Sequence, residues 1–445
     1  MKSDKDHVLS PARVGLLGMG TVGGGTYDVL TRNREEIQRR ALRPVEIAAV
    51  ADISIDRVKE KVVPGIRVTD DAFSIVNDES IDVIVELIGG TTIAKELVMA
   101  AINNGKHVVT ANKALLALYG NEIFKAAREK GVIVAFEAAV AGGIPIIKTL
   151  REGLTANRIK WIAGIVNGTS NYILTEMRQK GISFETALGQ AQELGYAESD
   201  PTFDIEGIDA AHKLTLMSAI AFGTPVAFDK AYIEGISSLT PKDIQYAEEL
   251  GYRIKLLAIT RRQQSGIELR VHPTLVSERH LIANVEGVMN AVMVYADAVG
   301  RTLYYGAGAG AEPTASAVIA DLVDVTRMLT VDAESYVPYL AFQPGSVAEI
   351  PILPVDDVVT SYYFRMRAKD EPGVLANVTR VLANHNISIE AVIQKEAEFG
   401  DDQTDIIFLT HRALEKDVEK AKKIIGEIPA ILEPVYSLRM ETLHK

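Results

Sequence analysis

The chain has 445 residues, a formal net charge of −12 and no cysteine, with 47% apolar and 24% charged residues. That length suggests about three domains with real cores, and the negative charge argues against nonspecific capture by nucleic acid or anionic membrane. Without cysteine there are no disulfides, no zinc–thiolate centres and no thiolate to oxidise an aldehyde to an acid or acyl phosphate. Interconversion of a carbonyl and an alcohol needs only a proton donor, which a lysine supplies. The apolar runs fall short of a membrane span, and the opening MKSDKDHVLS lacks a signal-peptide core, so a cytoplasmic protein is expected.

Arg13 to Gly18 reads as a short buried strand running into Gly18-Met19-Gly20-Thr21-Val22-Gly23, with a helix from about Gly24 to Arg39. GxGxxG is informative in this strand-to-helix setting. Gly18 permits the tight turn, Gly20 admits a pyrophosphate to the backbone, and Gly23 allows close packing. The helix N-terminus then offers free N–H groups. A second strand, Val45–Ala51, ends at Asp52, and a third, Val83–Ile88, ends in Gly89-Gly90. A doubly wound Rossmann domain over residues 1–150 is expected. Asp52 suits the ribose 2′-hydroxyl of NAD, whereas Arg57, Lys59 and Lys61 suit the 2′-phosphate of NADP or a solvated helix face. NAD and NADP both stay open.

Val108–Thr110 is a strand end followed by Ala111-Asn112-Lys113, a strand-to-helix junction of the kind where ligands sit in open α/β sheets. Lys113 there faces nicotinamide or substrate, or is an ordinary exposed loop lysine. A fifth strand, Val132–Phe136, ends in the small-residue loop Glu137 to Pro145. That loop could wrap carbonyl oxygens around a cation with Glu137 as charged ligand, or be a close-packed turn.

From Leu150 to about Gly345, strands at Ile159–Val166, Glu268–Leu275, Glu286–Tyr295 and Arg301–Gly306 alternate with long helices. They predict an α+β domain over 151–350 on an antiparallel-leaning sheet. Asn167-Gly168-Thr169-Ser170-Asn171 is a turn with a helix N-cap whose hydroxyls could address a ligand. In Gly195–Lys213, GYAESDPTFDIEGIDAAHK, the carboxylates Glu198, Asp200, Asp204, Glu206 and Asp209 crowd a loop that enters a helix near Ile208. Asp209 and Lys213 lie one turn apart on one face. A lysine among carboxylates beside an apolar helix suits a general acid; a solvated helix salt bridge is the plainer alternative. Gly306 to Gly310 is a Gly/Ala loop, suited to close approach of a cofactor or simply a tight connection.

Pro351 to Asp357 reads as a linker. Strands at Ser361–Arg367, Ile387–Gln394, Asp405–Thr410 and Ala430–Arg439, with helices to about Asn384 and over Ala413–Ile428, give a βαββαβ order across 355–445, a ferredoxin-like module. Amides around Gly373-Val374-Leu375 could cap an amino-acid carboxylate.

Five segments carry a resemblance: GLLGMGTVGGG, the TANK segment Thr110–Lys113, NGTSNYIL at Asn167–Leu174, GYAESDPTFDIEGIDAAHK, and DEPGVLANVTRVLANHNISI at Asp370–Ile389. Over nearly its whole length the chain resembles monofunctional homoserine dehydrogenases with a C-terminal ACT domain. The resemblance implies NAD(P)H-dependent reduction of L-aspartate 4-semialdehyde to L-homoserine, on the route to threonine, methionine and isoleucine. It implies that Lys213 protonates the carbonyl oxygen, with Lys113 close to the reacting centre and Glu198, Asp209 and Asp204 holding the substrate. Gly195, Gly310 and Thr91 would meet the cofactor. Glu137 and the carbonyls of Val140, Gly142 and Ile144 would hold a monovalent cation, usually Na+. An effector amino acid, expected to be threonine, would bind at paired ACT modules near Gly373, Val374, Leu375 and Asn377, in a homodimer or homotetramer. Two positions depart from the family pattern: Ile93 replaces the proline of GGxxPA, and Ala51 stands where NADP-preferring members often carry Arg or Lys. Another cysteine-free dehydrogenase is the alternative enzyme, and a non-catalytic sensor the alternative of a different class. Lys113, Lys213, Glu198 and Asp209 together argue against a sensor, which needs no proton donor.

Overall fold

The structure is a computed structural model that describes residues 9–395 and 402–443. Six parallel strands form the first sheet, in the spatial order Arg67–Thr69, Val45–Ala51, Ala12–Leu17, Val83–Glu86, His107–Thr110, Val134–Ala135. In chain order that is 3-2-1-4-5-6, the doubly wound arrangement whose ligand crevice lies at the carboxyl ends of the strands. The strands are runs of Val, Ile, Leu and Ala because helices cover both faces. Thr92–Asn103 and Lys113–Lys130 bury Leu97, Val98, Ile102, Leu115 and Ile123 on one side. On the other, Tyr27 and Leu30 of the helix Thr21–Arg32 meet Val318, Ile319, Leu322 and Val325. Those last four come from Ala311–Met328, a helix from far along the chain whose apolar stripe returns to the first core.

Two expectations for this layer change. The helix expected over Gly24 to Arg39 starts earlier, at Thr21, directly in the glycine turn. It breaks at Asn33 (φ −104°, ψ 20°) before resuming as Arg34–Ala41, because asparagine readily leaves helical dihedrals. The short edge strand Arg67–Thr69 had no apolar run to announce it.

Among the described residues a second sheet has eleven strands. Its path runs Gly300–Ala307, Met289–Ala296, Ile159–Ile165, Tyr252–Arg262, Ile267–Ser277, Tyr436–Glu441, Val359–Lys369, Gln403–Thr410, Ile389–Gln394, with short strands at Tyr232–Ile233 and Ala413–Leu414 beside it. The first five are antiparallel neighbours, as expected of the central region. Tyr252–Arg262, absent from the sequence reading, lies between Ile159–Ile165 and Ile267–Ser277. The last four make the ferredoxin-like sheet with helices Val374–Asn384 and Glu415–Gly426. Its closing strand begins only after Pro434, because proline cannot donate to a ladder.

The two sheets are one because Tyr436–Glu441 also pairs in parallel with Ile267–Ser277 (Thr274↔Arg439, Val276↔Glu441). A buried ionic seam lies on that join. Arg270 donates to Glu441 at 2.5 Å and to Glu268 at 2.9 Å, and its Nη1 lies 2.6 Å from His272 Nε2. Burial pushes Glu441 up, but Arg270 and Arg261 outweigh it and hold the carboxyl at about 2. Burial keeps His272 neutral, able to accept from Arg270. Removing one partner of such a set leaves uncompensated charge inside, a cost of about 3–5 kcal/mol. Arg270→Met is therefore expected to lower the unfolding free energy by about that amount in urea titration; a loss below about 1 kcal/mol, the scale of an exposed ion pair, would show that the seam does not join the sheets.

Candidate active site

The glycine turn is shaped by contact. At Gly18 (φ +92°) a Cβ would fall 2.7 Å from Leu87 O, and at Gly23 it would fall 2.0 Å from Gly18 O. Nothing lies within 4 Å of a Cβ at Gly20, the N-cap of Thr21–Arg32, which has no side-chain cap. The first-turn amides of Thr21, Val22 and Gly23 therefore remain for a pyrophosphate, and the residues fit a dinucleotide. Met19 N, by contrast, donates to Asp52 Oδ2 at 2.7 Å, while Asp52 Oδ1 accepts from Ser54 N at 2.8 Å. Asp52 thus braces the turn instead of presenting a free carboxylate at its rim. Arg57, largely exposed, donates to Met19 O.

Beneath the next two strand ends lies Glu86, fully buried, which the sequence reading passed over. It accepts from Ile88 N, Gly89 N and Thr110 Oγ1, tying the Gly89-Gly90 loop to the TANK segment. Asn112 continues the tie, donating to Gly90 O and capping the helix Lys113–Lys130 through Leu115 N. Lys113 is the first residue of that helix, and Thr91 is the N-cap of Thr92–Asn103.

Opposite stands the helix Ile208–Phe222, buried from Asp209 onward and entered through Gly207 (φ +80°). Lys213 Nζ donates to Asp209 Oδ2 and to Val166 O, both at 2.6 Å. Lys113 Nζ lies 3.0 Å from Asp209 Oδ1, so this ion pair joins the ligand edge of the parallel sheet to the second domain. Asn167 Nδ2 donates to Asp209 Oδ2 (2.9 Å) and Asp204 Oδ1 (2.7 Å), while its Oδ1 caps its own helix through Ser170 N. The hydroxyls of this turn serve the loop: Thr169 donates to Tyr196 O and Ser170 to Asp204 O.

These contacts set the charges. Burial pushes Asp209 up, but Lys213 and Lys113 overcome it and hold the carboxyl well below its ordinary range. Burial lowers the Lys213 ammonium, Asp209 opposes this, and Lys113 adds to it; the net shift is downward. Asp209 raises Lys113, which stays protonated. Burial raises Asp204 and lowers His212 to about 4, where its neutral ring packs on Phe228. Glu198 is exposed on the loop after Gly195 (φ +73°), and its charge reaches Lys113.

Gly310 caps Ala311–Met328, whose start touches the glycine-turn helix: a Cβ on Gly25 would lie 2.6 Å from Ala311 O. The neighbouring Gly308 packs on the loop of Val140, Gly142 and Ile144, since a Cβ on Gly142 would lie 2.5 Å from Gly308 O. Glu137 is buried at the base of that loop, its two carboxyl oxygens accepting from Ile147 N and Lys148 N. Burial and then Asp321 push it up to about 7, and burial raises Asp321 to about 6. Among the described residues no group of three or more His, Cys, Asp or Glu side chains could hold a metal. Any cation here would thus rely on main-chain carbonyls beside Glu137, whose neighbour Asp321 already lies 3.5 Å from Lys148 Nζ.

In the C-terminal sheet, Gly373 (φ +96°) caps Val374–Asn384 without a side-chain bond; Val374 is buried, Leu375 exposed, and Asn377 N bonds back to Gly373 O. No helix among the described residues is long and apolar enough to cross a membrane.

Three family models match the chain: the NAD-binding domain of homoserine dehydrogenase over 18–137, homoserine dehydrogenase over 145–323, and the ACT domain over 362–430. Homoserine dehydrogenase of Pseudomonas aeruginosa is 59% identical, aligned over 98% of this chain and 100% of its own. The crystal structure of a homoserine dehydrogenase from Thiobacillus denitrificans is 62% identical with a TM-score of 0.93, covering 98% and 99%. A hyperthermophilic archaeal homoserine dehydrogenase in complex with NADPH is 25% identical with a TM-score of 0.60, covering 71% and 98%. With the paired lysines about Asp209 and the glycine turn facing them, the chain belongs to the homoserine dehydrogenase family.

Proposed function

We propose that Lys213 moves the proton in the interconversion of L-aspartate 4-semialdehyde and L-homoserine. The observation that carries this is the Lys113–Asp209–Lys213 bridge at the carboxyl edge of the parallel sheet. A bound nicotinamide dinucleotide supplies the hydride in the reductive direction. Lys213 has two of its three N–H groups committed to Asp209 and Val166 O, leaving the third for a substrate oxygen. It gives its proton to the carbonyl oxygen as that oxygen gains charge, and takes it back in oxidation. Asp209 is too strongly ionised to donate; its work is to hold both lysines. Lys113, charged and partly exposed, offers a second positive group to the same oxygen or to the substrate carboxylate. Glu198 and Asp204 suit the α-ammonium of the substrate.

The amides of Thr21, Val22 and Gly23 would take the pyrophosphate, with Thr91, Gly195 and Gly310 around the rest of the cofactor. Arg57 at the exposed rim, with Asp52 turned to the backbone, supports NADP over NAD. The carbonyls of Val140, Gly142 and Ile144 beside Glu137 suit a monovalent cation such as Na+, which would relieve the raised carboxyls. Residues 1–150 then bind cofactor, 151–350 bind substrate and 355–445 regulate, with the helix Ala311–Met328 completing the first core. A homodimer or homotetramer agrees with the sheet edge Gly300–Ala307, which among the described residues pairs on one side only; the cytoplasm is the expected compartment. Threonine as end product would bind near Gly373, Val374, Leu375 and Asn377.

Lys213→Ala should lower turnover, followed at the reduced-nicotinamide absorbance with homoserine as substrate, by roughly two to four powers of ten, with dinucleotide affinity kept. Near-parental turnover in a folded variant would remove Lys213 from the chemistry. For the effector, the full chain is the right material because its last strand is shared with Ile267–Ser277. Calorimetric titration with threonine, serine, methionine and isoleucine should show binding of threonine together with reduced activity, since an effector must favour the less active state. No heat and no rate change with any of the four would leave the module structural.

A further inference from the structure

Next to the Arg270 seam, with the Tyr232 and His272 ring centroids 6.4 Å apart, Arg439 is held in a second ionic set. Its Nε and Nη2 donate to the two oxygens of Glu415 at 2.9 and 2.6 Å. Glu415 is the first residue of the helix Glu415–Gly426 and also accepts from Tyr362 Oη at 2.6 Å. The other arm of Arg439 reaches across the domains. Nη1 donates to Glu234 Oε2 at 2.7 Å, Nη2 to Tyr232 Oη at 3.0 Å, and the guanidinium lies 4.8 Å from the Tyr232 ring centroid. Tyr232 Oη donates in turn to the same Glu234 oxygen.

Tyr232 and Glu234 open a segment that runs directly under the substrate loop. Ile236 N donates to Ile205 O at 2.8 Å, and Ser237 Oγ to Glu206 Oε1 at 2.8 Å. There is no slack: a Cβ on Gly235 would fall 2.4 Å from Glu206 Oε2 and 2.6 Å from Ile205 O, and one on Gly207 would fall 3.1 Å from Val271 and 3.3 Å from Ile233. Ile205 follows Asp204, and Gly207 opens the helix bearing Asp209 and Lys213. A guanidinium fork that engages two carboxylates fixes direction as well as distance. A shift of the C-terminal helix start would therefore be felt at Asp204 through three residues of backbone.

We propose that Glu415, Arg439, Glu234 and Tyr232 form a positioning relay by which the C-terminal domain sets the placement of the Asp204 turn, and with it the affinity for homoserine. The proposal rests on the assignment of Asp204 to substrate binding. None of the four touches substrate or cofactor; each acts through the 232–237 segment.

The test uses full-length Glu234→Gln, Glu415→Gln and Tyr232→Phe, substitutions that keep shape. Homoserine and dinucleotide are varied separately, with the thermal midpoint recorded for each variant. The relay requires the homoserine KM to rise about fivefold or more, the lower end of ordinary coupling between sites, in both glutamine variants and less in Tyr232→Phe. The dinucleotide KM should stay within about twofold. An unchanged homoserine KM, or losses in both KM values and kcat that merely follow the midpoint, overturns the relay. Asp204→Asn separates this failure from that of the underlying assignment. If it raises the homoserine KM and Glu234→Gln does not, the relay is wrong and Asp204 is right. If Glu234→Gln raises it selectively and Asp204→Asn does not, the relay stands, acting through the start of the Asp209 helix, and the role of Asp204 falls.

Discussion

Asp209 is the point on which the site turns. One carboxylate, almost fully buried, binds Lys213 on one oxygen and Lys113 on the other, and takes a third bond from Asn167. Burying the Asp209 and Lys213 charges is costly, and sets of this kind rarely add stability over apolar packing. What the arrangement fixes is position. Lys113 comes from the ligand edge of the parallel sheet and Lys213 from a helix buried from Asp209 onward, so neither can shift without the other. Lys213, the proposed proton donor, and the dinucleotide turn are thereby held to one frame, as hydride and proton transfer to a single carbonyl require.

The same frame extends outward through glycines and shared strands. Gly23 lies on Gly18, Gly25 on Ala311 and Gly142 on Gly308, so the glycine turn, the returning helix and the Glu137–Pro145 loop pack against each other in one block. On the other side the helix of Asp209 and Lys213 rests on strands Tyr252–Arg262 and Ile267–Ser277, and the latter carries the C-terminal sheet as its neighbour. The regulatory region is therefore built onto the strand layer behind the active site rather than hung from a linker.

How much of this was legible depended on how local each cause is. The glycine turn, Val45–Ala51, and the Asp209–Lys213 spacing were readable because the determinants lie within one turn or one strand of each other. The C-terminal βαββαβ order was readable for the same reason, and its final strand drifted only because Pro434 delays it. Tyr252–Arg262 was lost because Arg253, Lys255, Arg261 and Arg262 obscure its alternation; Lys255 is in fact buried, donating to Val285 O and Asn171. Long-range pairings left no local trace. Nothing near Asp52 reveals that it accepts from Met19 N, nothing near Asn167 that its amide spans Asp204 and Asp209, and nothing in Ala311–Met328 that it belongs to the first core.

The most direct test of Asp209 as organiser is the pH dependence of kcat/KM for homoserine oxidation in Asp209→Asn. Oxidation needs the neutral lysine, so the rate rises with pH through the ionisation of Lys213. In the parent, Asp209 raises that ionisation while burial and Lys113 lower it. Removing the carboxylate leaves burial and Lys113, which lower it, opposed by the smaller raising influence of Asp204. The rising limb should move to lower pH, and its plateau should fall because both lysines lose their anchor. A limb that stays in place, or moves to higher pH, would contradict the assignment of Asp209 as the charge that holds and tunes Lys213.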